Sequence, residues 1–95
     1  MTVLESGIIA HIEEKLTPKC IVLFGSYQRG EDTEESDIDL FIEAKHKTIN
    51  TKQFEKKLNR KVELHFNKSF TKYPQELKNN IINGIVLHGF LEGYL

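Results

Sequence analysis

Ile21-Val22-Leu23-Phe24-Gly25-Ser26, then ten residues, then Asp37-Ile38-Asp39-Leu40-Phe41-Ile42: these two segments decide the fold. The first is a continuous apolar run beginning at Cys20 and ending in a small-residue corner, the pattern of a strand buried on both faces. The second opens a strand over residues 37–43. Side chains alternate faces along a strand, so Asp37 and Asp39 point one way while Ile38, Leu40 and Ile42 point the other. The two aspartates then stand about 6.6–7 Å apart at Cα, two steps of ~3.3 Å. From there they can converge on one or two hard cations, which lie roughly 3.5–4 Å apart in two-metal sites.

Working outward, residues 2–16 predict a helix. Val3, Leu4, Ile8, Ile9, Ile12 and Leu16 recur at helical spacing, and Pro18 ends the run because the residue before a proline is pushed from the α region. Residues 27–35 are polar around Gly30 and predict a short helical turn and a loop. Asn50 or Thr51 caps a helix running to Leu58, with Phe54 and Leu58 as its buried pair. Residues 61–66 alternate: Val62, Leu64 and Phe66 on one face, Lys61, Glu63 and His65 on the other, a third strand. Pro74 suits the first position of a last helix carrying Leu77, Ile81 and Ile85, with Gly84 as its stop. Residues 85–88 add a short edge strand. The order α-β-turn-β-α-β-α describes a small α/β (α+β) domain over residues 1–95, its three- to four-stranded sheet packed with helices.

Composition restricts the function classes. At 95 residues, 39% hydrophobic and 28% charged, the chain reads as one soluble domain. No apolar run approaches the ~20 residues of a membrane span, and the N-terminus lacks a signal-peptide pattern. A single cysteine, Cys20, excludes an internal disulfide and a multi-cysteine zinc site, so a cytoplasmic setting is expected. The net charge of −1 conceals an asymmetry: six carboxylates fall between positions 31 and 39, and ten of the thirteen basic residues between 45 and 78. An acidic cluster facing a basic surface suits a metal–phosphate ligand, although solvated surface charge is the simpler account of most of these lysines.

Three acids carry the chemistry. If the third strand neighbours the second, Glu63 joins Asp37 and Asp39. Carboxylates so clustered repel one another unless they share divalent cations. Oxygen-only ligands select Mg²⁺ or Mn²⁺ over zinc. Gly25 and Ser26 let backbone N–H groups and a hydroxyl approach a phosphate closely. Taken singly, Asp-x-Asp is common in loops, Gly-Ser is an ordinary turn, and Glu63 is a solvated strand residue. Together, in this order and spacing, they imply phosphoryl or nucleotidyl transfer. His65 shares the face of Glu63, with a half-buried strand histidine as the plainer reading.

Gly25-Ser26, Arg29-Gly30 and Ser36-Asp37-Ile38-Asp39-Leu40 resemble the signature of the nucleotidyltransferase superfamily with the DNA polymerase β-type catalytic fold. The wording and small size are similar to its minimal nucleotidyltransferases, the MNT or MntA-like group. The resemblance implies the small nucleotidyltransferase fold, two Mg²⁺ ions (or Mn²⁺) on Asp37 and Asp39 with Glu63 as third carboxylate, and ATP as substrate. By it, Gly25, Ser26, Ser36 and Arg29 belong to the nucleotide-binding corner, with Arg29 equally suited to pairing with the acidic loop. Where the family more often has aspartate, this chain has Glu63.

The resemblance further implies transfer of AMP from ATP to a hydroxyl, the acceptor being a tyrosine of a partner HEPN-type RNase toxin, with this chain as antitoxin. The absence of a second domain within the sequence leaves the acceptor surface to a partner, so a homo- or hetero-oligomer is expected and direct nucleic-acid binding is not. The alternative is a catalytically weak module that neutralises its partner stoichiometrically. Addition of nucleotides to RNA 3′ ends is a weaker third reading.

Overall fold

A computed structural model describes residues 2–25 and 37–89; the predicted turn at 27–35, and with it Ser26, Arg29 and Ser36, lies outside them. Its sheet is built on two central strands, β1 (Cys20–Phe24) and β2 (Ile38–Glu43), both buried almost throughout. They pair antiparallel, with Phe24 opposite Asp39 and Ile21 opposite Ile42. Helix α3 (Lys52–Leu58) carries the chain across, so β3 (Val62–Asn67) returns parallel to β2. After α4 (Gln75–Ile82), strand β4 (Ile85–Gly89) pairs antiparallel with the other side of β1. The order is β3-β2-β1-β4, a four-stranded mixed sheet within the three to four strands expected.

Period-2 alternation divides the core between the two sheet faces. Ile21, Leu23, Ile38, Leu40 and Ile42 meet Ile8, Ile9 and Ile12 of the N-terminal helical segment and Phe54 and Leu58 of α3, with Val62, Leu64 and Phe66 packed alongside. Cys20, Val22, Phe24 and Phe41 meet Ile81 of α4 on the reverse face. Each isoleucine fully removed from water here contributes roughly 1.5–3 kcal/mol.

Two predicted details change. The helix expected over 2–16 breaks at Gly7, whose φ of +87° ends α1 (Val3–Ser6) in the left-handed region before α2 (Ile8–Leu16) begins. Ser6 holds the break together: its hydroxyl donates to the Val3 carbonyl at 2.6 Å and accepts from the Ile8 N–H at 3.2 Å. The re-aimed first turn buries Val3 and leaves Leu4, assigned by helical periodicity to the apolar stripe, 61% exposed. At the other end, α4 stops at Ile82 with Asn83 as cap, so Ile85 belongs to β4 rather than to the helical stripe, of which Ile81 is fully buried.

The strand register that builds the site is pinned twice. The Glu55 carboxylate of α3 accepts the Val62 N–H at 2.8 Å, and the Lys61 carbonyl accepts the Ile38 N–H at 2.8 Å. Both bonds lie at the starts of β3 and β2, beside the acidic residues. A third tie joins β4 to α2, where Nδ1 of His88 lies 2.6 Å from Oε1 of Glu13.

Candidate active site

Because β2 and β3 run parallel in this register, Asp39 stands directly opposite Glu63, and Phe41 opposite His65. Alternation puts Asp39, Glu63 and His65 on the same sheet face, the one covered further along by α4. One ligand atom from each of the three lies within 4.8 Å of the other two, the one such group among the described residues. His65 Nε2 is 3.2 Å from Asp39 Oδ1 and 3.9 Å from Glu63 Oε2. The imidazole rests against the buried Phe24 ring, centroids 5.2 Å apart. Glu63 is the most open of the three, its side chain 56% exposed against 23% for Asp39 and 28% for His65.

Gly25 closes the site from β1. Its φ is +88°, and a Cβ added there would collide with the Asp39 carboxylate. Glycine is therefore favoured at the corner for two reasons, backbone conformation and space. The bare Cα lets the Asp39 carboxylate pack directly against the backbone at the end of β1.

Of the residues the sequence nominated, Gly25, Asp39 and Glu63 come together. Asp37, half-buried just ahead of β2, lies outside the three-residue group. His65, ranked lower from sequence, is a full member. Its shared face with Glu63 was visible as alternation, but its bond to Asp39 depends on a strand register 26 residues apart in sequence. Two of the basic residues expected to face the acids are placed elsewhere: Lys45 and Lys47, with Lys15, Leu16 and His46, line a cavity of about 360 Å³ beyond the opposite end of β2.

Two carboxylates and an imidazole converging from adjacent strands, beside a glycine corner, form a donor set suited to a divalent cation. Two proteins of Methanocaldococcus jannaschii, each named "Putative protein adenylyltransferase", are 59% and 53% identical over 32 residues, 34% of this chain. That match spans only about a third of each relative, 32% and 33% of their lengths. A solved structure described as "Crystal structure of the toxin-antitoxin with AMP-PNP" shares the fold, with a TM-score of 0.63 and 24% identity over 90% of this chain and 73% of that one. The nucleotidyltransferase domain model matches residues 6–88, nearly the whole chain, and the protein belongs to that family.

Proposed function

We propose that this domain transfers AMP from ATP to a hydroxyl on a protein partner. The observation that carries the reading is the Asp39–Glu63 pair, set opposite each other by the β2–β3 register and bordered by Gly25. Family membership and the names of the two archaeal relatives support the same chemistry.

In this reading the glycine corner at Gly25, with Ser26, Ser36 and Arg29, receives the triphosphate. Asp37, Asp39 and Glu63 are the residues that would hold divalent cations, Mg²⁺ or Mn²⁺. When bound, such ions neutralise charge at the attacking and leaving oxygens of an in-line displacement. The acceptor hydroxyl oxygen attacks the α-phosphorus, forming a P–O bond. The bond from that phosphorus to the α–β bridging oxygen breaks, and pyrophosphate leaves. Glu63, the most exposed of the three clustered side chains, accepts the hydroxyl proton from the solvent side.

The acceptor we propose is a tyrosine of a HEPN-type RNase toxin, with this chain as cytoplasmic antitoxin. The structural neighbour, a toxin–antitoxin solved with AMP-PNP, supports a toxin as the partner. The test incubates the protein with the product of its neighbouring gene and ATP labelled at the α-phosphate, with and without divalent cation. Label on a partner tyrosine, lost in Asp37→Asn and Asp39→Asn, is expected. No transfer from any of the three proteins overturns the enzymatic reading, and neutralisation of the partner without transfer would favour a stoichiometric binding module.

A further inference from the structure

We propose that His65 is a direct metal ligand and makes the site prefer Mn²⁺ to Mg²⁺. The inference deepens the reading above, since it rests on Asp39 and Glu63 holding a divalent cation.

The two separations measured from His65 are compatible with donors around one ion. With metal–ligand bonds of about 2.1 Å, two donors on adjacent vertices of an octahedron lie about 3.0 Å apart, and opposite vertices about 4.2 Å. The 3.2 Å from His65 Nε2 to Asp39 Oδ1 fits the first separation, and the 3.9 Å to Glu63 Oε2 falls between the two. The same imidazole nitrogen thus faces both carboxylates. The ring packs against Phe24 while Nε2 lies within hydrogen-bond distance of Asp39 Oδ1.

Mg²⁺ is hard, sheds water reluctantly and favours oxygen. Imidazole nitrogen suits the first-row transition metals, whose affinity for mixed N/O sites rises from Mn²⁺ onward. Replacing one water or oxygen donor by His65 Nε2 therefore strengthens Mn²⁺ more than Mg²⁺. Three protein donors leave an octahedral ion with open positions for phosphate oxygens and water. Specificity for the metal would then reside in a single strand residue.

The experiment titrates the metal-free protein with Mn²⁺, following loss of the free-ion electron paramagnetic resonance signal, and repeats it with competing Mg²⁺. Pulsed spectra of the Mn²⁺ complex are recorded for ¹⁴N coupling. The wild type should bind Mn²⁺ about ten-fold or more tightly than Mg²⁺ and show a directly bound nitrogen. His65→Val and His65→Gln should each weaken Mn²⁺ about ten-fold or more, leave Mg²⁺ within about two-fold, and abolish the nitrogen coupling. A wild-type complex without ¹⁴N coupling, or a Mn²⁺-to-Mg²⁺ ratio unchanged in both variants, overturns the proposal; the wild-type spectrum decides even if a variant misfolds. Asp39→Asn separates the two levels. Loss of all metal binding there, with His65 variants unchanged, refutes the role of His65 alone, whereas full binding in Asp39→Asn refutes the carboxylate site on which it rests.

Discussion

A side chain at Gly25 would have to displace Asp39: the space its Cβ would take is occupied by the Asp39 carboxylate, whose Cγ would lie 3.2 Å from it. Phe24, the neighbour of Gly25, is the register partner of Asp39 across the β1–β2 pair, so the corner and the acid are parts of one structure.

Gly25→Ala should therefore have two separable effects. The φ of +88° costs a residue with a Cβ about 1–2 kcal/mol, which denaturant unfolding would read as a lower midpoint at unchanged slope. The Asp39 side chain can yield only by rotating away, and a shift of about 1 Å at a reacting group can cost ~10²-fold in rate. Transfer activity should fall by about that factor in a protein that remains folded by circular dichroism.

Glu63 should matter to rate rather than to folding. It is exposed and lies on edge strand β3, so Glu63→Gln should leave stability within about 0.5 kcal/mol. Loss of the proton acceptor should lower kcat about 10²-fold or more. Glu63→Asp restores a carboxylate but one methylene short, so by the same positional argument it should recover only part of the activity that the amide loses. Steady-state kinetics on the three proteins, with thermal unfolding alongside, decides it; equal kcat for Gln and Glu would remove the residue from the chemistry.

The sequence made the sheet legible because its signals are local. Residues 20–24 are apolar without interruption and became a central strand; residues 61–66 alternate and became an edge strand with one wet face. Asp39 and Glu63 could be nominated for the same reason. What stayed hidden was anything set by a long-range register or by one backbone dihedral. The contact of His65 with Asp39 requires knowing that Phe41 pairs with His65, a relationship created by the α3 crossover. The break at Gly7 was masked because Ile8, Ile9 and Ile12 continue a helical pattern that Val3 and Leu4 already satisfy, and the periodicity registers no single positive φ.

The reverse sheet face depends on one helix residue. Ile81 is fully buried among Cys20, Val22, Phe24 and Phe41, where α4 covers β1 and β2. Ile81→Ala should cost about 2–5 kcal/mol, through lost burial and the cavity left behind. In a domain whose total stability is about 5–15 kcal/mol, that is a large fraction. Phe24, which supports the His65 ring, shares this cluster, so the variant should also loosen the imidazole. Urea unfolding should show the stability loss, and NMR of the His65 ring should show line broadening.

Alkaline pH should destabilise the fold through the same layer. Burial, and secondarily the Glu43 carboxylate, pushes the Cys20 thiol from its ordinary 9.0 up to about 11. Burial also raises Tyr73, which packs edge-on against Phe41 with ring centroids 5.0 Å apart. A group whose folded pKa is raised favours the folded state below its unfolded pKa, because the protonated form is the one the core accepts. Above that point the unfolded chain releases protons that the native state retains, so the slope of stability against pH is negative. For Cys20 the loss begins near pH 9 and continues until the folded thiol itself ionises near pH 11. Urea midpoints measured at intervals from pH 8 to about 11 should fall across that window, and Cys20→Ala, which removes the thiol but not Tyr73, should flatten the fall. An identical slope in that variant would show that the buried thiol contributes nothing to the alkaline limit.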